Sequence, residues 1–335
     1  MKNFTYKDIS KLAKVSISTV SRYYNGGYVS DETKKAIEDI IKKYNYTPNH
    51  GARLIRGHDN SIFIIVPQSY DNSITQVMNG IELSAKRSKE RVIITYSGPS
   101  VKDYIETIKY ANSWRPKSIV FFLPQYSVGG AQPANLEDQE KSNEEILQYI
   151  KENVTDCATF IYGQELDEFN CISINYGQAF YNLTKQFATY IEKGQKVVFA
   201  LDTKLDDKQK SERQEGFEKA CKELNLDYEV VLLSNKVPKQ FTKFLNWLNR
   251  ENIVNVVSST HEVFINLVSS KDRNLRLTDI SYATIYDTQQ RFKCKIFIDY
   301  PQIGMTIVRI LNNFKANKTV EKNIFRPKIL FKNGH

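Results

Sequence analysis

Arg22, Ile17 and Ser18 lie within six positions of one another, on a stretch that reads as a short helix from Ser16 to Tyr24. Set outward, these side chains can read the edges of DNA bases. A guanidinium fork pairs with guanine O6 and N7, and an aliphatic branch presses on a thymine methyl. Thr5, Ser16, Thr19, Ser21 and Asn25 supply short polar groups nearby, suited to phosphate contacts that fix register without reading sequence. Catalytic chemistry has no comparable footing. The chain carries no P-loop, HExxH, GxSxG or Ser/His/Asp arrangement, and its four histidines are His50, His58, His261 and His335. The four cysteines, Cys157, Cys171, Cys221 and Cys294, include no CxxC pair, so neither a zinc site nor a disulfide framework is expected. No enzyme activity, metal or cofactor is expected.

The elements that must position these groups can be read from capping and periodicity. Thr5 and Asp8 have the spacing of a capping box, followed by Ile9, Leu12 and Ala13 at helical intervals. Ser16 can cap a second helix whose inward residues are Val20 and Tyr23 or Tyr24, and Gly26-Gly27 breaks it. Ser30-Asp31-Glu32 starts a third helix, its acids placed where the macrodipole favours them. Ile37, Ile40, Ile41 and Tyr44 form the expected buried stripe, and Pro48 ends it. The first two helices and their tight turn make a helix-turn-helix, whose second helix would lie in the major groove.

Charge points the same way. The 335 residues carry 47 Lys and Arg against 38 Asp and Glu, a net of +9. Residues 1–60 hold eleven of the bases and six of the acids, a net of +5 in under a fifth of the chain. That asymmetry is the footprint expected over a polyanion. No apolar run approaches the length of a membrane span, since Ile62–Val66 and Ile119–Leu123 have five residues each. The opening MKNFTYKD has no apolar stretch, so no secretory leader and a cytosolic location are expected.

From Ser61 the rhythm changes. Strand-like runs are expected at Ile62–Val66, Val92–Tyr96, Ser118–Leu123, Ala158–Tyr162, Ile172–Ile174, Val197–Leu201, Glu229–Leu233, Val254–Ser258, Ser281–Ile285, Ile296–Ile298 and Lys328–Phe331. Helical stretches such as Val77–Arg87, Asn143–Lys151, Gln178–Glu192 and Arg213–Leu224 lie between them. Such alternation implies parallel sheets covered on both faces, and eleven strands imply two lobes. Gln125–Glu140 reads as a long surface loop, and no internal repeat is evident.

Residues 6–57 resemble the DNA-binding head of the LacI/GalR family of bacterial repressors. The matching elements are Asp8-Ile9, Val15-Ser16, Thr19-Val20-Ser21-Arg22, Asn25, Val29-Ser30, Thr33, Tyr46-Thr-Pro48-Asn49 and Ala52-Arg53. The resemblance extends DNA contact to Tyr6, Tyr28, Tyr46, Asn49, Ala52 and Arg53. It makes Asn49–Gly57 a hinge helix in which Ile55 is the minor-groove wedge, ordered only on DNA. The chain departs from the family at Lys14, where glycine is usual, at Ser10 and at Tyr23-Tyr24. If position 14 needs positive φ, its lysine costs on the order of 1 kcal/mol.

The remaining residues are similar to the family's regulatory domain, through Ile65-Val-Pro67, Asn79-Gly-Ile-Glu82, Arg213-Gln-Glu-Gly216-Phe217, Ile285-Tyr286-Asp287 and Tyr300-Pro-Gln-Ile-Gly304. The implied fold is an all-α helix-turn-helix head plus a two-lobed α/β domain of the periplasmic-binding-protein type with parallel sheets. The implied segments are 1–48 for the head, 49–60 for the hinge and 61–335 for effector binding and dimerisation. Within the last, one lobe is expected at 61–161 and 290–322, the other at 162–289 and 323–335. The resemblance places an effector between the lobes, with Arg213 and Asp287 holding sugar hydroxyls and Ser69, Tyr70 and Asp71 lining the site. Asn175 stands where the family often has Asp, Thr260-His261 where it often has Asn-Asp, and Gln68 where an Asp is frequent. These changes suggest an unusual ligand, phosphorylated or larger.

The expected function is that of a homodimeric repressor of a carbohydrate-utilisation operon, bound to a pseudo-palindromic double-stranded operator and released by a sugar or sugar phosphate. Two alternatives are a catabolite-control regulator acting with a protein corepressor and a cytosolic solute-binding protein. No heptad helix follows Lys328–His335, so a dimer rather than a tetramer is expected, with no membrane association.

Overall fold

The computed structural model of the chain describes residues 5–24, 27–44, 59–68, 72–98, 100–124, 136–234, 237–269, 275–281 and 291–331. Backbone contacts divide it into two units, Met1–Asp59 and Asn60–His335.

The first unit contains α1 (Tyr6–Leu12), α2 (Ile17–Tyr24) and α3 (Asp31–Tyr44). The Asp8 carboxylate accepts from both the backbone N–H and the hydroxyl of Thr5, at 2.8 and 2.7 Å, which secures the start of α1. Ile9, Val20 and Ile37, one from each helix, are fully buried, and Ile40 and Ile41 pack against them. Two expected core residues are exposed instead: Leu12 by 48% and Tyr44 by 45%. Ala13 and Val15, either side of the turn after α1, take the place expected for Leu12. Tyr44 ends a 14-residue helix that outruns the two shorter helices it covers.

The second unit holds two six-stranded sheets. The first runs β11-β5-β4-β3-β1-β2 and the second β12-β10-β9-β8-β6-β7. The strands in chain order are β1 (Asp59–Pro67), β2 (Arg91–Ser97), β3 (Pro116–Phe122), β4 (Ala158–Tyr162), β5 (Asn170–Ile174), β6 (Val197–Asp202), β7 (Tyr228–Leu233), β8 (Asn255–Ser258), β9 (Arg276–Ser281), β10 (Phe292–Phe297), β11 (Lys322–Phe325) and β12 (Lys328–Phe331). Every described pairing is parallel except β10 with β12. The helices are α4 (Asn72–Arg87), α5 (Val101–Ser113), α6 (Leu136–Asn153), α7 (Tyr176–Phe187), α8 (Asp207–Glu223), α9 (Pro238–Arg250), α10 (His261–Val268) and α11 (Tyr300–Asn317).

Both lobes use one plan. The two strand orders match position for position, and one helix pair in each lobe packs backbone to backbone. A Cβ on Gly80 of α4 would lie 2.0 Å from the Pro301 carbonyl oxygen of α11. A Cβ on Gly216 of α8 would lie 2.1 Å from the Gly177 carbonyl oxygen of α7. Only glycine permits either approach.

The pairing corrects several expectations. Strand β9 occupies 276–281, five residues of which precede the expected run, because Asp279, which reads as a turn residue, is fully buried against His261; residues 282–285 of the expected run lie outside the described residues. Strand β11 was not expected. It is four residues long, half exposed and at a sheet edge, where alternation is weak. Helix α6 begins at Leu136, inside the expected loop. The lobe boundaries shift as well. Strand β5, expected in the second lobe, extends the first sheet beside β4, and β10, expected in the first, lies between β9 and β12 in the second. The chain passes between lobes at Asn175, near Asp299, and between β11 and β12.

Candidate nucleic-acid interface and effector site

Helix α2 sets its polar face outward by burying Val20 and half-burying Tyr23 and Tyr24. Tyr24 stacks on Tyr6 with ring centres 5.0 Å apart, and the Tyr23 hydroxyl donates to Glu38 at 3.3 Å. Burial, reinforced by that carboxylate, raises the Tyr23 pKa. The paired tyrosines thus serve the core of the unit, and Tyr6 packs with them.

The exposed face carries Ser16, Ile17, Ser18 and Arg22, with Thr19 and Ser21 half-buried beside them. The Ser16 hydroxyl accepts from the Thr19 backbone N–H at 3.1 Å and meets the Ser18 and Thr19 hydroxyls at 2.6 and 2.8 Å. One cluster therefore caps the helix and holds its hydroxyls at the end expected to face DNA. Arg22 is exposed and lies along Gly27, where a Cβ would come within 2.5 Å of its Cγ. Tyr28 is 88% exposed. Lys7, Lys11, Lys14, Lys34, Lys35, Lys42 and Lys43 are exposed, and none forms an ion pair among the described residues. The turn before α2 holds Lys14 at φ 53°, the left-handed conformation for which the family keeps glycine. Asn25, Tyr46, Asn49, Ala52, Arg53 and Ile55 lie outside the described residues.

Of the expected effector residues, Ser69, Tyr70, Asp71 and Asp287 lie outside the described residues. The other three, Asn175, Arg213 and Thr260, stand at the carboxyl ends of strands. Asn175 follows β5 and caps α7, its Oδ1 accepting from Gln178 N–H at 2.8 Å. Thr260 follows β8 and caps α10, accepting from Val263 N–H at 3.2 Å. Its hydroxyl also donates to Asp202 Oδ2 at 2.9 Å, at the end of β6. Arg213 is 5% exposed and donates from Nη1 to the Ser259 carbonyl at 2.6 Å, beside Thr260. Its guanidinium lies 4.2 Å from the Tyr176 ring centre, next to Asn175. A chain of contacts thus joins all three expected residues.

Sequence reasoning missed the residues that link them. Tyr176 was detectable because Asn175-Tyr-Gly-Gln178 is matched by Asp299-Tyr-Pro-Gln302, where Asp299 caps α11 in the same way, accepting from Gln302 N–H at 3.0 Å. Asp202 and Ser259 gave no such signal. His261 is not in this group: its Nδ1 lies 2.9 Å from the buried Asp279 carboxylate.

Reactive groups elsewhere are quiet. Burial pushes the thiols of Cys157, Cys221 and Cys294 up to about 12, assisted at Cys157 by Asp156 and at Cys221 by Glu218. The described residues contain no cluster suited to a metal ion and no helix long and apolar enough to cross a membrane.

Residues 5–49 match the family model described as "Bacterial regulatory proteins, lacI family". Over those residues the chain is similar to the LacI family of bacterial regulatory proteins. It is 29% identical to the sucrose operon repressor of Staphylococcus xylosus over 182 residues, 54% of this chain and 51% of that protein. The chain therefore spans about half the length of that relative. It is 25% identical to catabolite control protein A of Staphylococcus epidermidis over 96% of both chains. The Lac repressor bound to ONPG shares the fold, with a TM-score of 0.74 over 98% of both chains at 14% identity. The head and the two-lobed domain thus have the LacI-type architecture that the motifs implied.

Proposed function

We propose that this chain is a LacI-family, sequence-specific DNA-binding regulator and not an enzyme, acting in the cytoplasm as a homodimeric repressor of a carbohydrate-utilisation operon. The exposed face of α2 carries the reading. Ile17, Ser18 and Arg22 project from a helix locked by the Ile9–Val20–Ile37 core, amid exposed lysines that form no ion pair among the described residues. In this reading Arg22 and Ile17 contact base edges and the hydroxyls of Ser16, Thr19 and Ser21 engage phosphates. Asn49, Ala52, Arg53 and Ile55 form the hinge that enters the minor groove. A sugar or sugar phosphate held by Arg213, Thr260 and Asn175, together with Ser69, Tyr70, Asp71 and Asp287, alters the lobes and releases the operator. The full-length likeness to a catabolite control protein supports a second reading, in which a protein corepressor replaces the small effector.

The test begins by selecting duplexes from a random library with the purified chain and measuring binding to the selected site and to its half. The full inverted repeat should bind far more tightly than the half-site. Arg22→Ala should cost about 1–3 kcal/mol and relax preference at one base pair per half-site. Equal affinity for half and full sites would defeat the dimeric reading. Titration of sugars and sugar phosphates into the complex separates effector release from corepressor control.

A further inference from the structure

The positive charge of the second unit gathers at one end of its first lobe. Helices α4, α5 and α11 finish there, and β1, β2 and β3 start there. Lys86 and Arg87 close α4, Lys89 precedes β2 and Arg91 opens it. Arg115 and Lys117 flank Pro116, the first residue of β3, and Lys315 and Lys318 stand at the end of α11. Side chains tie these pieces into one surface. Asn60 donates to the Lys89 carbonyl at 3.1 Å. Lys117 pairs with Glu90 and donates to Asn312 at 2.7 Å, one turn before Lys315. All eight bases except Lys117 are exposed. The acids of this end are Asp59, which starts β1, and Glu90, which is buried. Residues 61–335 carry 36 bases against 32 acids, so without these eight the remainder is net acidic.

The second lobe supplies the comparison. By strand order β6, β7 and β8 stand where β1, β2 and β3 do, and α7, α8 and α9 end where α11, α4 and α5 do. Its matching end is balanced by acids. Lys185 faces Glu223 at 3.7 Å, Lys196 faces Asp227 and Glu229 at 3.8 and 3.4 Å, and Arg250 faces Glu251 at 2.9 Å. The chain leaves α8 and α9 through Asn225 at φ 50° and Asn252 at φ 55°. Asparagine tolerates that left-handed conformation. In the same turns the first lobe places Lys89 at φ 57° and Arg115 at φ 48°. The macrodipole favours cations in the last turns of α4 and α11, but it acts equally on α7 and α8. It does not account for bases in the strained turns, or for Arg91 and Lys117 in the strands.

We propose that this basic end of the first lobe contacts the DNA backbone beside the segment that enters the minor groove, adding phosphate contacts to those of α2. The proposal rests on the DNA-binding reading above. Covalent reach favours a duplex over any other polyanion. Ile55 stands four residues before Asp59. Wherever Ile55 meets DNA, β1 therefore starts within about 14 Å of it. A duplex held there presents a phosphate charge about every 1.7 Å along its axis. Lysine and arginine contacts to those phosphates release counterions and carry no sequence information.

The experiment uses the full chain and the duplex selected above, with Lys86→Gln, Lys89→Gln and Lys315→Gln combined. Affinity is measured across a range of salt concentrations. The triple variant should bind about tenfold more weakly at physiological salt, and its slope of log affinity against log salt should flatten by about 1–3. Its base preference should not change, because the lost contacts are to phosphate. Lys239→Gln with Lys243→Gln, at exposed positions of α9 in the second lobe, should leave affinity and slope as they are. Ethylation of single phosphates gives the position. Modified phosphates beside the central base step should block the wild-type protein, and the triple variant should be less sensitive to them. Equal slopes in wild-type protein and triple variant overturn the proposal, leave the DNA-binding reading intact and point to an acidic protein at this surface. An equal loss in the α9 variant also overturns it, since net charge alone would then explain the effect. A wild-type chain that selects no duplex overturns the DNA-binding reading together with the proposal. If the triple variant does not fold, the single substitutions at Lys86 and Lys315 decide by the same slope.

Discussion

Replacing Lys14 with glycine should stabilise the head. Lys14 adopts φ 53° in the turn between α1 and α2. A side chain in that region costs about 1–2 kcal/mol through its Cβ. Glycine removes that cost but raises the entropy of the unfolded chain by about 0.5–1 kcal/mol. The net gain is therefore about 0.5–1 kcal/mol, a factor of roughly 2–5 in the opening equilibrium. Native-state hydrogen exchange on the full chain measures this locally. The amides of Ala13 and Val20, which bond to Ile9 and Ser16 carbonyls, report opening of the helix-turn-helix. Their exchange should slow two- to fivefold in Lys14→Gly. Lys14→Ala keeps the Cβ and removes only the charge, so it should change exchange little. Unchanged exchange in the glycine variant would refute the strain argument. Equal slowing in both variants would assign the effect to relief of repulsion among Lys7, Lys11 and Lys14.

Two further outcomes follow from the second unit. The Tyr104 hydroxyl donates to the Phe122 carbonyl at 2.9 Å, and burial holds its pKa well above the usual 10.0. Because only the unfolded chain ionises this group near 10, its contribution is complete below that pH and falls as pH rises beyond it. Urea unfolding should show a midpoint that declines above pH 10, less steeply in Tyr104→Phe; identical slopes in the two proteins would count against this assignment. Gly216→Ala should cost about 1–3 kcal/mol in thermal unfolding, since its Cβ must push α7 and α8 apart. A loss under about 0.5 kcal/mol would show that the helices yield freely.

The helices of the head were legible because their signals are local: a capping box at Thr5 and Asp8, a cap at Ser16, acids opening α3. The conformation at Lys14 was legible only through the family, since lysine itself carries no left-handed signal. Most strands of the lobes were visible as apolar runs. The start of strand β9 was missed because its Arg276 and Asp279 are satisfied by partners distant in sequence, Arg276 donating to the Tyr190 carbonyl at 2.8 Å. The lobe boundaries were misjudged for a related reason. Which sheet β5, β10 or β11 joins is settled by pairing, and each is a short run with the same pattern in either place. At the candidate effector site, Arg213 and Thr260 were singled out from motif positions and Tyr176 could have been, while Asp202 and Ser259 enter through contacts that no spacing announces.

The duplicated plan of the lobes explains why no repeat is visible in sequence. Superposed strand order requires only apolar runs in sequence order, and many residues satisfy that. What both lobes keep are the few places where backbone geometry leaves no choice. Gly80 and Gly216 allow two helices to touch. Asn175 and Asp299 each turn the chain out of a strand or loop and cap the next helix, with Tyr176 and Tyr300 following. Asn175 also donates its backbone N–H to the Phe325 carbonyl at 3.1 Å, which ties two of the three crossings together. These shared residues serve the fold. The informative positions are those where matched sites diverge, because packing alone would have let them agree. Val77 against Arg213 is such a pair: at matched places before the contact glycines, one lobe buries an aliphatic side chain and the other a guanidinium.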